Sequence, residues 1–220
     1  MDLYWAQWVF SSKVRRLALL LVSASLAAQT PSVEVLVASP AVTKTELQVI
    51  CLFHSGPGTA FQGSLREIDE KLGGLLTRIR KDSLFAGNLG ETLLIAPKPG
   101  TIPARRLLLI GLGDLQSFST DREQQVGFIV FEESKRLGIN HPYFAPTVLD
   151  GGKTGLNTGD VAEQFLRGFL RASASEDVVR AAKMSNPTSN PSGLTFLAGA
   201  AHAADTRAGL AKATAAAAGH

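Results

Sequence analysis

The stretch Arg105-Arg-Leu-Leu-Leu-Ile-Gly-Leu-Gly-Asp-Leu-Gln116 sets Gly-x-Gly-Asp directly behind an apolar run, where nucleotide-binding domains place a phosphate loop. The third glycine of the dinucleotide fingerprint is missing, and Gln116 stands where that glycine would pack helix against strand. Asp114 would repel a phosphate unless it met a hydroxyl instead. Gly111, Gly113 and Asp114 therefore stand as a candidate ligand loop, and a tight turn that demands small residues explains the two glycines equally well. Gly151-Gly-Lys-Thr154 matches the second half of a P-loop, but its first glycine would fall on Thr147, and Asp150 lies inside the loop. That segment reads as a connection before a helix.

Other chemistry-bearing residues are isolated. His54, His141, His202 and His220 have no partners at metal-ligand spacing, so no metal or other cofactor is expected. Ser55 lies in Ser-Gly-Pro-Gly, which is not a nucleophile elbow. Cys51, the single cysteine, sits in Leu47-Gln-Val-Ile-Cys-Leu-Phe53 and reads as a small core residue. The acids Glu67, Glu70, Glu132 and Glu133 fall on helix faces and Asp114 and Asp150 in turns, a pattern of solvated faces.

The elements that would hold these residues follow from hydrophobic periodicity. Short runs rich in Val, Ile, Leu and Phe read as strands at 33–38, 47–53, 92–96, 105–110, 143–149 and 194–198. Apolar residues recurring at three and four predict one amphipathic helix over 64–81, weakened at Gly73-Gly74, and a second from Ser119 or Thr120 to Leu137 with Gly138 as its stop. Asp160 with Glu163 marks the start of a third helix carrying Val161, Phe165, Leu166, Phe169 and Leu170. The Ala-rich segment 199–220 reads as a helix or tail with little to bury. Strands alternating with helices indicate an α/β sandwich.

The chain has 220 residues, 45% of them hydrophobic, enough for one sizeable core. Its 22 basic and 19 acidic residues are interspersed, so nucleic acid is not an expected partner. Lys13, Arg15 and Arg16 precede the apolar run 17–28, with Ser25 and Ala27 where a signal peptidase reads small residues. Residues 1–28 are thus expected to be a signal peptide, cleaved after Ala27 or Ala28, that sends a periplasmic or secreted domain spanning 29–198 out of the cell. The run is too short for a permanent membrane anchor.

Three stretches carry a family resemblance: Leu84-Phe-Ala-Gly-Asn-Leu-Gly-Glu-Thr-Leu-Leu-Ile95, Ala104-Arg-Arg-Leu-Leu-Leu-Ile-Gly-Leu-Gly113, and Val161-Ala-Glu-Gln-Phe-Leu-Arg-Gly-Phe-Leu170. In this order they resemble the N-terminal domain of the cytosol (leucyl) aminopeptidases. The resemblance implies a three-layer α/β/α sandwich with a mixed central sheet, similar to macro domains, and it implies that Gly111 and Gly113 serve a turn after a central strand. In that family two divalent metals are held by Lys, Asp and Glu of a separate C-terminal domain. No such segment occurs in this sequence, so no catalytic residue carries over. The expectation is a non-catalytic module for protein interaction or assembly, with a protein partner or a second copy of itself. A subunit of a split or truncated metallo-aminopeptidase and a macro-like binder of ADP-ribose or a nucleotide are the alternatives.

Overall fold

The computed structural model describes residues 31–54, 60–185 and 190–219. The signal-peptide reading of 1–28, Ser55 and His220 lie outside them. Six runs pair into one sheet: β1 (Ser32–Val37), β2 (Gln48–His54), β3 (Thr92–Ile95), β4 (Leu107–Asp114), β5 (Tyr143–Ala145) and β6 (Gly193–Ala198), in the order β1-β6-β5-β2-β4-β3. All neighbours are parallel except β3, which runs antiparallel on β4. The sheet is mixed, as expected.

Central strands of such a sheet bury both faces, and the residues of β2 divide accordingly. Val49, Cys51 and Phe53 enter one core, with Leu108, Ile110 and Leu112 of β4 beside them, while Ile50, Leu52, Leu107 and Leu109 enter the other. Helices α1 (Gly63–Lys71) and α2 (Leu75–Lys81) cover the second face. The first is covered by α3 (Arg122–Leu137) and α4 (Thr158–Ala181), with α5 (Ala203–Ala218) beyond α4. On that side Phe144 stacks on Phe165 at 3.8 Å between ring centroids, and Phe196 meets both edge-on. Each such pair contributes about 0.5–1.5 kcal/mol beyond its burial.

Several boundaries differ from the sequence reading. The helix expected over 64–81 is two helices, because Gly73 and Gly74 take φ of 65° and 75° and turn the chain between them. Helix α3 starts behind Asp121, whose side chain makes no capping bond, instead of at a Ser119 or Thr120 cap. Helix α4 starts earlier than Asp160: Asn157 accepts hydrogen bonds from the Gly159 and Asp160 amides. The fifth strand stops at Ala145, and Thr147 has φ of 52°. The Ala-rich helix α5 buries more than its composition suggests: Thr206, Gly209, Leu210 and Ala213 are buried against α4 and the sheet, and Lys212 reaches Glu163 at 2.6 Å.

Candidate functional site

The Gly111-Leu-Gly-Asp segment lies inside β4 and not in a turn after it. Its glycines are needed because the loop 87–91 packs directly on the strand. The Gly111 amide donates to Glu91 O, the Gly113 amide to Gly87 O, and the Gly90 amide to Gly111 O, all within 2.9 Å. A Cβ at Gly111 would sit 1.9 Å from Asn88 O, and Gly113 has φ of 73°. The Glu91 carboxylate holds that loop by accepting from the Ala86 and Asn88 amides. Two of the sequence motifs, 84–95 and 104–113, thus form one unit, and both glycine amides are spent on carbonyls. Asp114 is exposed and accepts from the Gln116 amide at 3.1 Å.

The Gly-rich loop behind β5 is similarly self-satisfied. The amides of Gly151, Gly152, Lys153 and Thr154 donate to carbonyls of 147, 149, 148 and 152. The Lys153 ammonium donates to Leu115 O at 3.2 Å. No phosphate cradle forms there.

A cavity of about 540 Å3 opens instead at the carboxyl ends of β1, β6 and β5, bounded by Val37, Ala198 and Ala145. Ligands of open α/β sheets bind at this end of the strands. Its shape originates in Pro146. Without an amide proton, Pro146 cannot extend the β5 ladder, so β2 would be left with the Cys51 peptide unpaired. The Thr147 hydroxyl replaces the missing strand, donating to Cys51 O at 2.6 Å and accepting from Cys51 N at 3.0 Å. The early stop of β5 leaves the hollow above it.

Helices supply the walls. Asp150 Oδ2 accepts from the Ser64 amide at 3.0 Å and from the Ser64 hydroxyl, capping α1. This approach is so close that a Cβ on Gly63 would sit 2.1 Å from Asp150 Oδ1, and Gly63 itself has φ of 48°. Asn157 caps α4. Thr158 lines the cavity, and its Oγ1 is buried with no hydrogen-bond partner. His202 and Thr206, from the start of α5, complete the rim.

The remaining titratable groups lie elsewhere. His54 ends β2, and His141 shares Thr195 with Glu34 at the opposite end of the sheet. Among the described residues no three His, Cys, Asp or Glu converge as a metal site. Glu123 of α3 is buried, both its oxygens unpartnered, and burial pushes its carboxyl up to about 8. Burial, with Glu123 nearby, also pushes the Cys51 thiol up. Neither would act as a nucleophile or base from inside a core. Sequence reasoning missed the cavity, since it collects residues from three strand ends.

Residues 49–183 match the family model described as "Cytosol aminopeptidase family, N-terminal domain". The chain belongs to that family. It is 28% identical over 139 residues to a probable cytosol aminopeptidase of Roseiflexus castenholzii, covering 63% of this chain and 25% of that protein. It is 41% identical over 73 residues to a counterpart from Geotalea uraniireducens, covering 33% of this chain and 14% of the other. The chain therefore spans a quarter or less of the length of these curated relatives. Among solved structures, a mutant of tomato leucine aminopeptidase superposes with a TM-score of 0.58 at 17% identity, over 81% of this chain and 35% of that one. A Trypanosoma brucei macrodomain in complex with ADP gives 0.57 at 14% identity, over 83% and 70%. The family N-terminal domain and the macrodomains share this α/β/α fold.

Proposed function

We propose that this aminopeptidase N-terminal domain is a non-catalytic, exported module that works by binding a protein partner or a second copy of itself. The observation that carries the reading is the match over 49–183 to the N-terminal domain of the family, laid on a sandwich whose buried carboxylates are largely committed to structural bonds. Asp69 holds Thr77, Asp150 holds Ser64, Glu163 holds Arg167 and Lys212, and Glu176 holds Lys135. Metal-assisted amide hydrolysis needs several free carboxylates converging on one point. Supporting a contact role, the end of α4 and the turn behind it expose Val178, Val179 and Met184 together.

Sedimentation of the mature chain, alone and mixed with a full-length metallo-aminopeptidase of its own host, tests this reading. Self-association or co-sedimentation is expected. A monomer that ignores the enzyme overturns it. A split enzyme is the second reading, distinguished by leucine amide hydrolysis that appears only on mixing with a catalytic subunit. The fold shared with an ADP-bound macrodomain raises ADP-ribose as a third, but the Asp150 carboxylate in the cavity speaks against it.

A further inference from the structure

We infer that the cavity above β5 is a binding site for a small primary amine with an apolar body, and that it excludes phosphorylated ligands. Its volume of about 540 Å3 falls within the range of small-molecule sites, about 300–1,000 Å3. Its walls are largely apolar, with Val37, Val148, Val161 and Leu197 among them, so a ligand gains most of its affinity from burying hydrocarbon. Polar groups then select what the hydrocarbon carries.

Those groups are arranged against an anion. The helix N-termini of α1 and α4 would ordinarily attract phosphate. Here Asp150 already occupies the first and the Asn157 side chain the second. Among the described residues no lysine or arginine lines the cavity, so an entering phosphate would meet the Asp150 carboxylate without a permanent cation to offset it. A cation meets the opposite situation. Asp150 Oδ2 serves Ser64, while Oδ1 accepts no hydrogen bond from the described residues. Thr158 lines the same cavity, but its Oγ1 is sealed from it, so the unengaged Asp150 oxygen is the acceptor that selects the ligand. An ammonium carries donors, no acceptor and a positive charge, which match an unengaged carboxylate oxygen better than an alcohol or a phosphate does.

The test is a titration of the full chain, followed by amide NMR, with phenethylamine, its uncharged counterpart 2-phenylethanol, ADP-ribose and inorganic phosphate. Phenethylamine is expected to shift the amides around Asp150 and Thr158 and to bind at least about tenfold more tightly than the alcohol, a difference of about 1.4 kcal/mol. ADP-ribose and phosphate are expected to leave those amides unmoved. Asp150→Asn keeps an oxygen to accept from Ser64 and so retains the α1 cap, yet it should abolish the preference for amine over alcohol. Val37→Arg, at an exposed position of the cavity wall, should weaken amine binding several-fold while sparing the alcohol, and serves alone if the Asn variant does not fold. Equal binding of amine and alcohol, an amine preference that survives Asp150→Asn, amine binding unchanged by Val37→Arg, no binding by any probe, or shifts of the cavity amides by ADP-ribose or phosphate would each overturn the inference.

Discussion

Burying the Glu123 carboxyl without a partner is costly. Held without partners in the core, it releases its proton at about 8 in the folded chain, against an ordinary value of 4.5. Between those two values the unfolded chain binds fewer protons than the folded one, so stability falls as pH rises from about 4.5 to 8 and levels off above. The slope approaches ~1.4 kcal/mol per pH unit for one group. Glu123→Gln should remove it. Urea denaturation is expected to give near-equal stability for variant and wild type at pH 4.5 and a variant several kcal/mol more stable at pH 8; a wild-type profile without the slope would contradict the burial argument. The two strand glycines separate two backbone effects. Gly111→Ala drives a methyl into Asn88 O and should cost roughly 1–3 kcal/mol or more, as overpacking does. Gly113→Ala meets only side chains and one amide at 3.1 Å or beyond and should cost about 1 kcal/mol, the usual charge for φ above zero. If the urea midpoints rank the other way, the loop 87–91 is not what demands Gly111.

Elements lock through glycine as well. Helices α3 and α4 touch so closely that a Cβ on Gly127 would meet Phe165 O at 2.0 Å and one on Gly168 would meet Gln124 O at 1.9 Å. Gly168→Ala must part the two helices and should lower stability by about 1–3 kcal/mol, read as a drop in urea midpoint with the slope unchanged. The corresponding contact of α4 with α5 sets Gly209 against Gly159 O. This explains which elements were legible in the sequence. Residues 47–53 and 105–110 read correctly as buried strands because both faces of β2 and β4 are apolar. Gly138 ended α3 as expected, since its φ of 69° is a glycine conformation. The extension of β4 through Asp114 was hidden because Gly111 and Gly113 read as a turn, although there the strand pairs with β2 on one side and the loop 87–91 on the other, and the burial of α5 was hidden because close helix contact needs alanine and glycine instead of large side chains. The cavity was invisible for another reason: Pro146, Thr147 and Asp150 act on residues of β2 and α1 distant in sequence.

At the scale of the whole molecule, the fold is that of a domain attached, in its relatives, to much longer proteins. Purified alone, the mature chain is expected to show no hydrolysis of a leucine amide chromogen with zinc, manganese or cobalt added. Turnover that follows the chain through purification and vanishes on mutating Asp114 or Asp150 would contradict this. Mass spectrometry of protein from the native host should find a mature N-terminus just after Ala27 or Ala28. The position of β1 bears on that route. This strand, which begins at Ser32 soon after the proposed leader, has a single neighbour in the sheet, β6, with Ser32 opposite Gly193. During synthesis β1 therefore has no neighbour in the sheet until residues 193–198 have emerged from the ribosome, and contacts between residues so distant in sequence form slowly. If the chain is exported as proposed, this late pairing would leave the segment behind the leader extended, the form that a secretion channel threads.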